Sequence, residues 1–201
     1  MQSILDVLIE GVLAGAAEVL TVRRGGAVSG NYKDATEFVT EADRASDEAI
    51  LSVLKSRTPA IDPSISFRLE ESGETGTRGA KRIGADPLDG TNHFAAGGTM
   101  YSVQAHRTRR GADRRVFQPE VFLPLAVTDR PVGRLVWAVR GRGAYMRLTE
   151  FVDGTFQLRE TQPVTRRATI PRRSYLVCAP TTLKMAPDER ALASAGYAAT
   201  G

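Results

Sequence analysis

The chain has 201 residues, of which 42% are hydrophobic and 25% are charged, a balance typical of a globular protein with a substantial core. The net charge of +4 is too small to indicate a nucleic-acid-binding surface by itself. A single cysteine, Cys178, excludes an internal disulfide framework, and no apolar run is long enough to cross a membrane. Because the sequence also starts without the pattern of a secretory signal, we expect a cytoplasmic protein.

Two amphipathic helices are predicted in the first part of the chain. Apolar residues recur at helical spacing from Ser3 to about Leu20, Ser3 can cap this helix, and Gly25-Gly26 is expected to end it. Thr40 is predicted to begin the second helix, with acidic residues in its first turn. Asp43 lies in that turn, where it can serve as a capping residue or hold a catalytic hydroxyl group or water. The expected buried stripe of this helix is Ala42, Ala45, Ala49, Ile50, Val53 and Leu54.

A strand of alternating polar and apolar residues is predicted at 64–69, and it leads into the acidic pair Glu70-Glu71. Adjacent carboxylates repel each other unless water or a cation solvates them. The pair is therefore compatible with an exposed acidic turn or with a metal site. Residues 75–81 are expected to form a loop.

The stretch Ala85–Thr91, with the sequence ADPLDGT, brings two carboxylates, a glycine and a hydroxyl group close together in the sequence. The apolar residues 83–85 predict the end of a buried strand, which Pro87 should stop because proline has no N–H group for the ladder. Asp86 and Asp89 would then be aimed at one point, where two close carboxylates need a cation.

The last two residues of this stretch suggest an anion site beside the carboxylates. Gly90 allows the backbone to approach a ligand closely, and Thr91 is expected to be the N-cap of a turn whose N–H groups face an anion. Oxygen ligands beside such groups indicate Mg²⁺ with a phosphate ester. An Asx-turn with an N-cap would explain the same residues without a ligand.

The middle of the chain is predicted to be mainly β-strand. Residues 100–106 alternate, so that Met100, Ser102, Gln104 and His106 share one face. The arginine-rich residues 107–115 are expected to form an exposed hairpin loop. Trp137 is assigned to packing, and His93 and His106 have no metal-like spacing. Further strands are predicted at 116–117, 121–127, 134–139 and 144–146.

A change of composition at Gln162 predicts a domain boundary. A basic, proline-containing connector follows, so we expect one domain at 1–160 and a second at 161–201. A strand at 175–179 and a helix at 187–195 are predicted after the connector. Because one strand and one helix cannot bury a core of their own, the second domain is expected to be incomplete.

Four segments, in order, resemble motifs of the inositol monophosphatase-like family of metal-dependent phosphatases. Residues 39–43 (VTEAD) are similar to its first motif, and residues 70–72 (EES) are similar to its Glu-Glu element. Residues 86–91 (DPLDGT) match its Asp-Pro-(Ile/Leu)-Asp-(Gly/Ser)-Thr signature, and residues 140–145 (RGRGAY) resemble a later strand-turn-strand element. The similarity covers most of residues 1–150, and several linked motifs are far more specific than one. It therefore favours the functional interpretation of the acidic residues.

This resemblance implies an α+β protein, a layered αβαβα sandwich of the inositol monophosphatase/fructose-bisphosphatase type. The site would lie between an α+β first domain and an α/β second domain. Carried over by residue, Glu70, Asp86 and the Leu88 carbonyl would hold one Mg²⁺. Asp86 and Asp89 would hold a second ion, and Glu70 would reach a third, weaker one.

The resemblance also implies the reaction. Asp43, Thr91 and Glu70 would be the catalytic residues, with Asp43 and Thr91 orienting the attacking water. The N–H groups of Gly90 and Thr91 would hold the substrate phosphate. The implied enzyme is a Mg²⁺-dependent, lithium-sensitive phosphomonoesterase acting on a small polyol or sugar phosphate such as inositol monophosphate. We expect a small phosphorylated substrate as its partner, no nucleic-acid polymer and no membrane, with a homodimer left open.

The sequence departs from the family's motifs at two places, and these departures leave alternative functions open. The family's Trp-Asp motif, which supplies a further metal ligand, does not occur here, since Trp137 is followed by Ala138. The chain is therefore expected to be truncated and to bind one Mg²⁺ better than two. The turn at 92–94 (NHF) lacks the Lys-Glu-Phe associated with the nucleotide branch. The alternatives are a 3′(2′),5′-bisphosphate nucleotidase of the same superfamily, and a non-catalytic metal- or phosphate-binding relative or inactive fragment.

Overall fold

The structure is a computed structural model that describes residues 2–26, 28–33, 38–76, 81–109, 120–126, 132–139 and 142–164. These residues belong to one compact unit of the chain, Met1–Val164. The strand predicted at 175–179, the helix predicted at 187–195 and Cys178 lie outside the described residues. The division into domains at 160–161 stays a prediction.

Two long helices begin with the same local device. Helix α1 (Ile4–Arg24) is capped by Ser3, and helix α2 (Glu41–Arg57) is capped by Thr40. In each case an aspartate three residues after the cap, Asp6 or Asp43, bonds back to the N–H of the capping residue, which completes a capping box. Both predicted helix starts are confirmed. A short 3-10 helix (Thr58–Ala60) follows α2, and α3 (Thr91–Ala95) is a single short turn of helix.

The strands form one small hairpin and one large sheet within the described residues. The hairpin pairs β1 (Gly30–Tyr32) with β2 (Phe38–Thr40). The sheet order is β10-β9-β8-β7-β6-β5-β3-β4, with β11 beside β9, and only the β3–β5 pair among these is parallel. Its strands are β3 (Ile65–Leu69), β4 (Gly73–Thr75), β5 (Lys81–Asp89), β6 (Ser102–Arg109), β7 (Glu120–Ala126), β8 (Val132–Val139), β9 (Gly143–Val152), β10 (Thr155–Leu158) and β11 (Gln162–Pro163).

Helices α1 and α2 pack against each other and contact β5, and their apolar side chains share one core with the sheet. The predicted buried stripe of α2 is partly wrong, because the helix is rotated from the expected position. Ala45, Ala49 and Val53 are only half-buried. The buried positions are Ala42, Asp43, Ser46, Asp47, Ile50 and Leu54. The rotation brings three polar side chains into the protein interior.

Three strand predictions also need correction. β5 does not stop at Pro87 but continues to Asp89, because a local irregularity accommodates the missing N–H group. β6 extends to Arg109, so Arg107 lies in a strand and not in the expected loop; residues 110–119 lie outside the described part. The short strands β1, β2, β4, β10 and β11 were not predicted. The alternation of residues 102–106 is confirmed, since Val103 and Ala105 are buried on the face opposite Gln104.

In the described part of the chain, no helix is both long enough and apolar enough to traverse a lipid bilayer.

Candidate active site

The candidate site is built at the adjacent ends of two parallel strands. Leu69 of β3 pairs with Ala85 of β5. The next residues along the two strands, Glu70 and Asp86, therefore lie beside each other at the same edge of the sheet. This explains how two acids sixteen positions apart by residue number come into contact.

A β-bulge brings Asp86 and Asp89 to one face of the sheet. Residues three apart on a regular strand point to opposite faces. In β5, however, Asp86 pairs with Gln104 and Asp89 pairs with Ser102, so three steps along β5 match two steps along β6. Because Ser102 and Gln104 share a face, their two partners share it as well. The extra residue lies in the segment that contains Pro87.

The three carboxyl groups form an acidic cluster whose electrostatics centre on Asp86. Burial, then repulsion from Glu70, then repulsion from Asp89 raise the pKa of Asp86 to about 7. The N–H group of Leu88 donates to Asp86 Oδ1 over 3.1 Å and opposes that rise. Asp89 Oδ2 accepts from Gln104 Nε2 at 2.8 Å. The structure thus brings Glu70, Asp86 and Asp89 together.

This arrangement is not a preassembled metal centre. Across the described ranges, no group of three His, Cys, Asp or Glu side chains is placed to hold an ion. The donor set nevertheless fits Mg²⁺ in its chemistry, since every group is a hard oxygen ligand and the crowded carboxyls favour a cation. The ligand set Glu70, Asp86, Leu88 and Asp89 stays a prediction.

Asp43 of α2 links the helix to the loop after β5. Its Oδ2 accepts from the N–H and hydroxyl of Thr40, at 2.8 and 2.6 Å. Its Oδ1 accepts from the hydroxyl of Thr91 at 2.8 Å, and the same hydroxyl lies 2.9 Å from the carbonyl oxygen of Leu88. Asp43 is 4% exposed and Thr91 is half-buried, so this bond is partly shielded from water. Asp43 therefore caps its helix and also holds the Thr91 hydroxyl, and the two interpretations do not exclude each other.

The turn after Asp89 differs from the prediction in one respect. Gly90, not Thr91, is the N-cap of α3, and it adopts a left-handed conformation with φ of +87°. Thr91 is instead the first helical residue, and its hydroxyl donates to Asp43 and lies 2.9 Å from the Leu88 carbonyl oxygen. A Cβ atom at Gly90 would lie 2.6 Å from the Met100 carbonyl oxygen, so the close approach requires glycine.

Two residues that the sequence analysis missed hold the same loops. Ser46 donates to the carbonyl oxygen of Pro87 over 2.8 Å. Asp47 accepts from the N–H of Glu71 at 3.1 Å and from the hydroxyl of Ser72. Their positions three and four residues after Asp43, on one helix face, were the available signal.

Arg23, in the last turn of α1, holds the segment that follows α3. Its Nη2 donates to the carbonyl oxygens of Phe94 and Gly98, at 2.7 and 3.1 Å. Its guanidinium carbon lies 4.1 Å from the centre of the Phe94 ring and 5.6 Å from that of Tyr101. The turn that carries Gly90 and Thr91 is therefore anchored at its far end by the first helix.

Similar proteins were found by sequence and by structure. The chain is 38% identical over 124 residues to a glucose-1-phosphate thymidylyltransferase of Streptomyces griseus, covering 60% of this chain and 42% of that protein. It is 33% identical over 149 residues to the Nus factor SuhB of Pseudomonas aeruginosa, covering 72% of this chain and 50% of that protein. The chain thus spans about half the length, or less, of these relatives.

A solved structure, the extragenic suppressor protein suhB from Bartonella henselae, matches with a TM-score of 0.53 at 24% identity. The match covers 72% of this chain and 52% of that one. This similarity confirms the predicted fold class, the mixed α and β architecture of the inositol monophosphatase type. A profile of the inositol monophosphatase family matches residues 1–191, and the chain belongs to that family.

Proposed function

We propose that the protein is a Mg²⁺-dependent phosphomonoesterase that hydrolyses a small phosphorylated polyol or sugar, such as inositol monophosphate. The observation that carries this proposal is the part-buried hydrogen bond between Thr91 and Asp43, beside the acids Glu70, Asp86 and Asp89. Family membership supports phosphatase chemistry, and the Streptomyces relative carries a sugar phosphate in its name.

Thr91 and Asp43 would prepare the attacking water. With its own hydrogen donated to Asp43 Oδ1, the Thr91 oxygen keeps lone pairs that can accept a hydrogen bond from water. The water proton can then move to Thr91 Oγ1 while the Thr91 proton moves to Asp43 Oδ1. Because Thr40 fixes the other oxygen of Asp43, the carboxylate cannot rotate away from this path.

The remaining residues would bind and orient. Glu70, Asp86, Asp89 and the Leu88 carbonyl oxygen would hold the Mg²⁺ ions, and Glu70 would also face the water. When bound, Mg²⁺ would neutralise phosphate charge and make water easier to deprotonate. The N–H groups of Gly90 and Thr91 would hold the phosphate, whose transfer needs mainly positioning and neutralised charge.

The test is phosphate release from inositol monophosphate by the wild type and two variants of Thr91. Thr91→Ala removes the hydroxyl group and should lower kcat by about 100-fold or more, the usual contribution of a general base. Thr91→Ser retains the hydroxyl group and is the matched control, which should keep most of the activity. A chelator should abolish turnover, and Mg²⁺ should restore it.

Two outcomes would contradict the proposal. One is full hydrolysis in excess chelator, and the other is a Thr91→Ala variant as active as Thr91→Ser. A bisphosphorylated nucleotide assayed in parallel would show whether the nucleotidase alternative fits the protein better.

A further inference from the structure

Asp47 is a buried carboxylate for which the proposed reaction has no role. It lies one helical turn after Asp43 and is 1% exposed. Burying an ionised carboxylate is costly unless hydrogen bonds compensate for the lost water. Hydrogen bonds from neighbouring groups must therefore stabilise the buried Asp47 carboxylate.

Within the described residues, both hydrogen-bond partners of Asp47 come from the turn that follows β3. The N–H of Glu71 donates to Oδ1 and the hydroxyl of Ser72 donates to Oδ2, so each oxygen is engaged. Glu70 is the residue immediately before this pair, and it contacts Asp86 from the end of β3. An ion pair between Lys33 and Glu71 also reaches the turn, and it is partly open to solvent, with side chains that are 30% and 13% exposed.

We infer that Asp47 is a positioning residue for Glu70, and that through Glu70 it sets the affinity of the site for a divalent cation. This inference rests on the proposed function. By fixing the backbone and side chain of the next two residues, Asp47 limits the directions in which the Glu70 carboxylate can point. Asp43 does the same for Thr91, so one face of α2 aligns the predicted metal ligand with the predicted water-orienting hydroxyl group.

The test is calorimetric titration of the purified protein with Mg²⁺, without substrate. Asp47→Ala should weaken Mg²⁺ binding by about 10–100-fold, the usual loss when a residue that orients a ligand is removed. Ser72→Ala removes a single hydrogen bond and should weaken binding less. Because Ser72→Ala leaves the buried charge with its backbone partner, it keeps the test decisive if Asp47→Ala does not fold.

Asp62→Ala is a matched control at the other end of β3. Asp62 Oδ1 also accepts from the N–H and the hydroxyl of Ser64 at the start of this strand, while its Oδ2 accepts from Lys81 Nζ. Its truncation removes the same chemical group from an equivalent turn that is remote from the acidic cluster. Mg²⁺ affinity should be unchanged in this variant, whatever happens to its stability.

A double-mutant cycle separates positioning from general loosening. If Asp47 acts through Glu70, Asp47→Ala should not weaken Mg²⁺ binding further in a Glu70→Gln background. Equal losses in both backgrounds, or no loss from Ser72→Ala and Asp47→Ala when Glu70→Gln alone has a large effect, would overturn the inference and leave the proposed function intact. No effect of Glu70→Gln itself would overturn both.

Discussion

Among the described glycines, Gly90 combines a left-handed backbone with an occupied Cβ position. Its φ of +87° lies in the left-handed region, and the space a Cβ atom would need is occupied by the backbone of Met100 and Tyr101. A second glycine, Gly143, has nearly the same φ of +89° but no heavy atom within 4 Å of the Cβ position. An alanine at Gly143 would therefore meet conformational strain alone, whereas an alanine at Gly90 would meet both strain and a steric clash.

We expect Gly143→Ala to lower the free energy of unfolding by about 1–2 kcal/mol, the usual penalty for a left-handed alanine. Gly90→Ala should lower it by about 1–3 kcal/mol more, because the backbone of β6 and its preceding loop must move. Urea unfolding of both variants measures the difference. Equal losses would mean that the contact with Met100 relaxes at no cost.

Sequence reasoning succeeded at residue level where the signal was local. The Thr40–Asp43 capping box is encoded within four residues, and the DPLDGT stretch carries its own turn chemistry. The partners of Asp47 were not predictable, because they lie 24 and 25 residues away and reach α2 only in the folded protein. The bulge was equally hidden, since Pro87 suggests a strand end as readily as an irregular strand.

At the level of whole elements, the contact of α1 with α2 determines how closely the helices approach beneath the site. A Cβ atom on Gly15 would lie 2.6 Å from Ser46 Oγ and 2.8 Å from Ile50 Cγ1. Ser46 in turn donates a hydrogen bond to the Pro87 carbonyl oxygen. The distance between α1 and α2 therefore affects the position of the loop that carries the candidate site. Gly11, one turn earlier, would meet nothing closer than 3.8 Å.

Gly15→Ala and Gly11→Ala should consequently have opposite effects on stability. Alanine in a helix interior is favoured over glycine by about 0.5–1 kcal/mol, and Gly11→Ala should gain part of this. At Gly15 an overpacking cost of about 1–3 kcal/mol should exceed that gain and destabilise the protein. Thermal unfolding of the two variants measures whether each substitution raises or lowers stability. A stabilised Gly15→Ala variant would contradict the close contact between α1 and α2 at Gly15.

The elements that were predicted with correct types are those with strong internal patterns: both long helices and the strands β3, β5, β6, β7, β8 and β9. The short strands β1, β2, β4, β10 and β11 were missed because two to four residues carry too little periodicity to detect. The order of strands in the sheet was not predicted either. It depends on long-range pairing, including the parallel β3–β5 contact that creates the site edge.

For the molecule as a whole, His106 should contribute to the pH dependence of stability. It lies across from Gly84, where a Cβ atom would be 2.5 Å from its ring, and burial lowers its pKa from the usual 6.5. The folded state therefore binds fewer protons than the unfolded state as the pH falls below 6.5. The stabilising contribution is complete above that value and is lost as the pH falls towards the lowered pKa of the folded state.

We expect the wild type to lose more stability than His106→Phe when the pH is lowered from about 7.5 to about 5. Phenylalanine retains a ring of similar size but has no proton to bind. Unfolding midpoints of both proteins at the two pH values provide the comparison. An identical drop in the two proteins would show that His106 is charged in the folded state at no cost.

The anchoring of the end of α1 has a consequence for the order in which the protein can fold. The start of this helix is encoded by Ser3 and Asp6, which can pair as soon as a few residues exist. Its last turn bonds to carbonyl oxygens that lie 71, 75 and 127 residues further along, through Arg23 and Arg24. During synthesis, the contacts that fasten the last turn of α1 can therefore be completed only after β9 has been made.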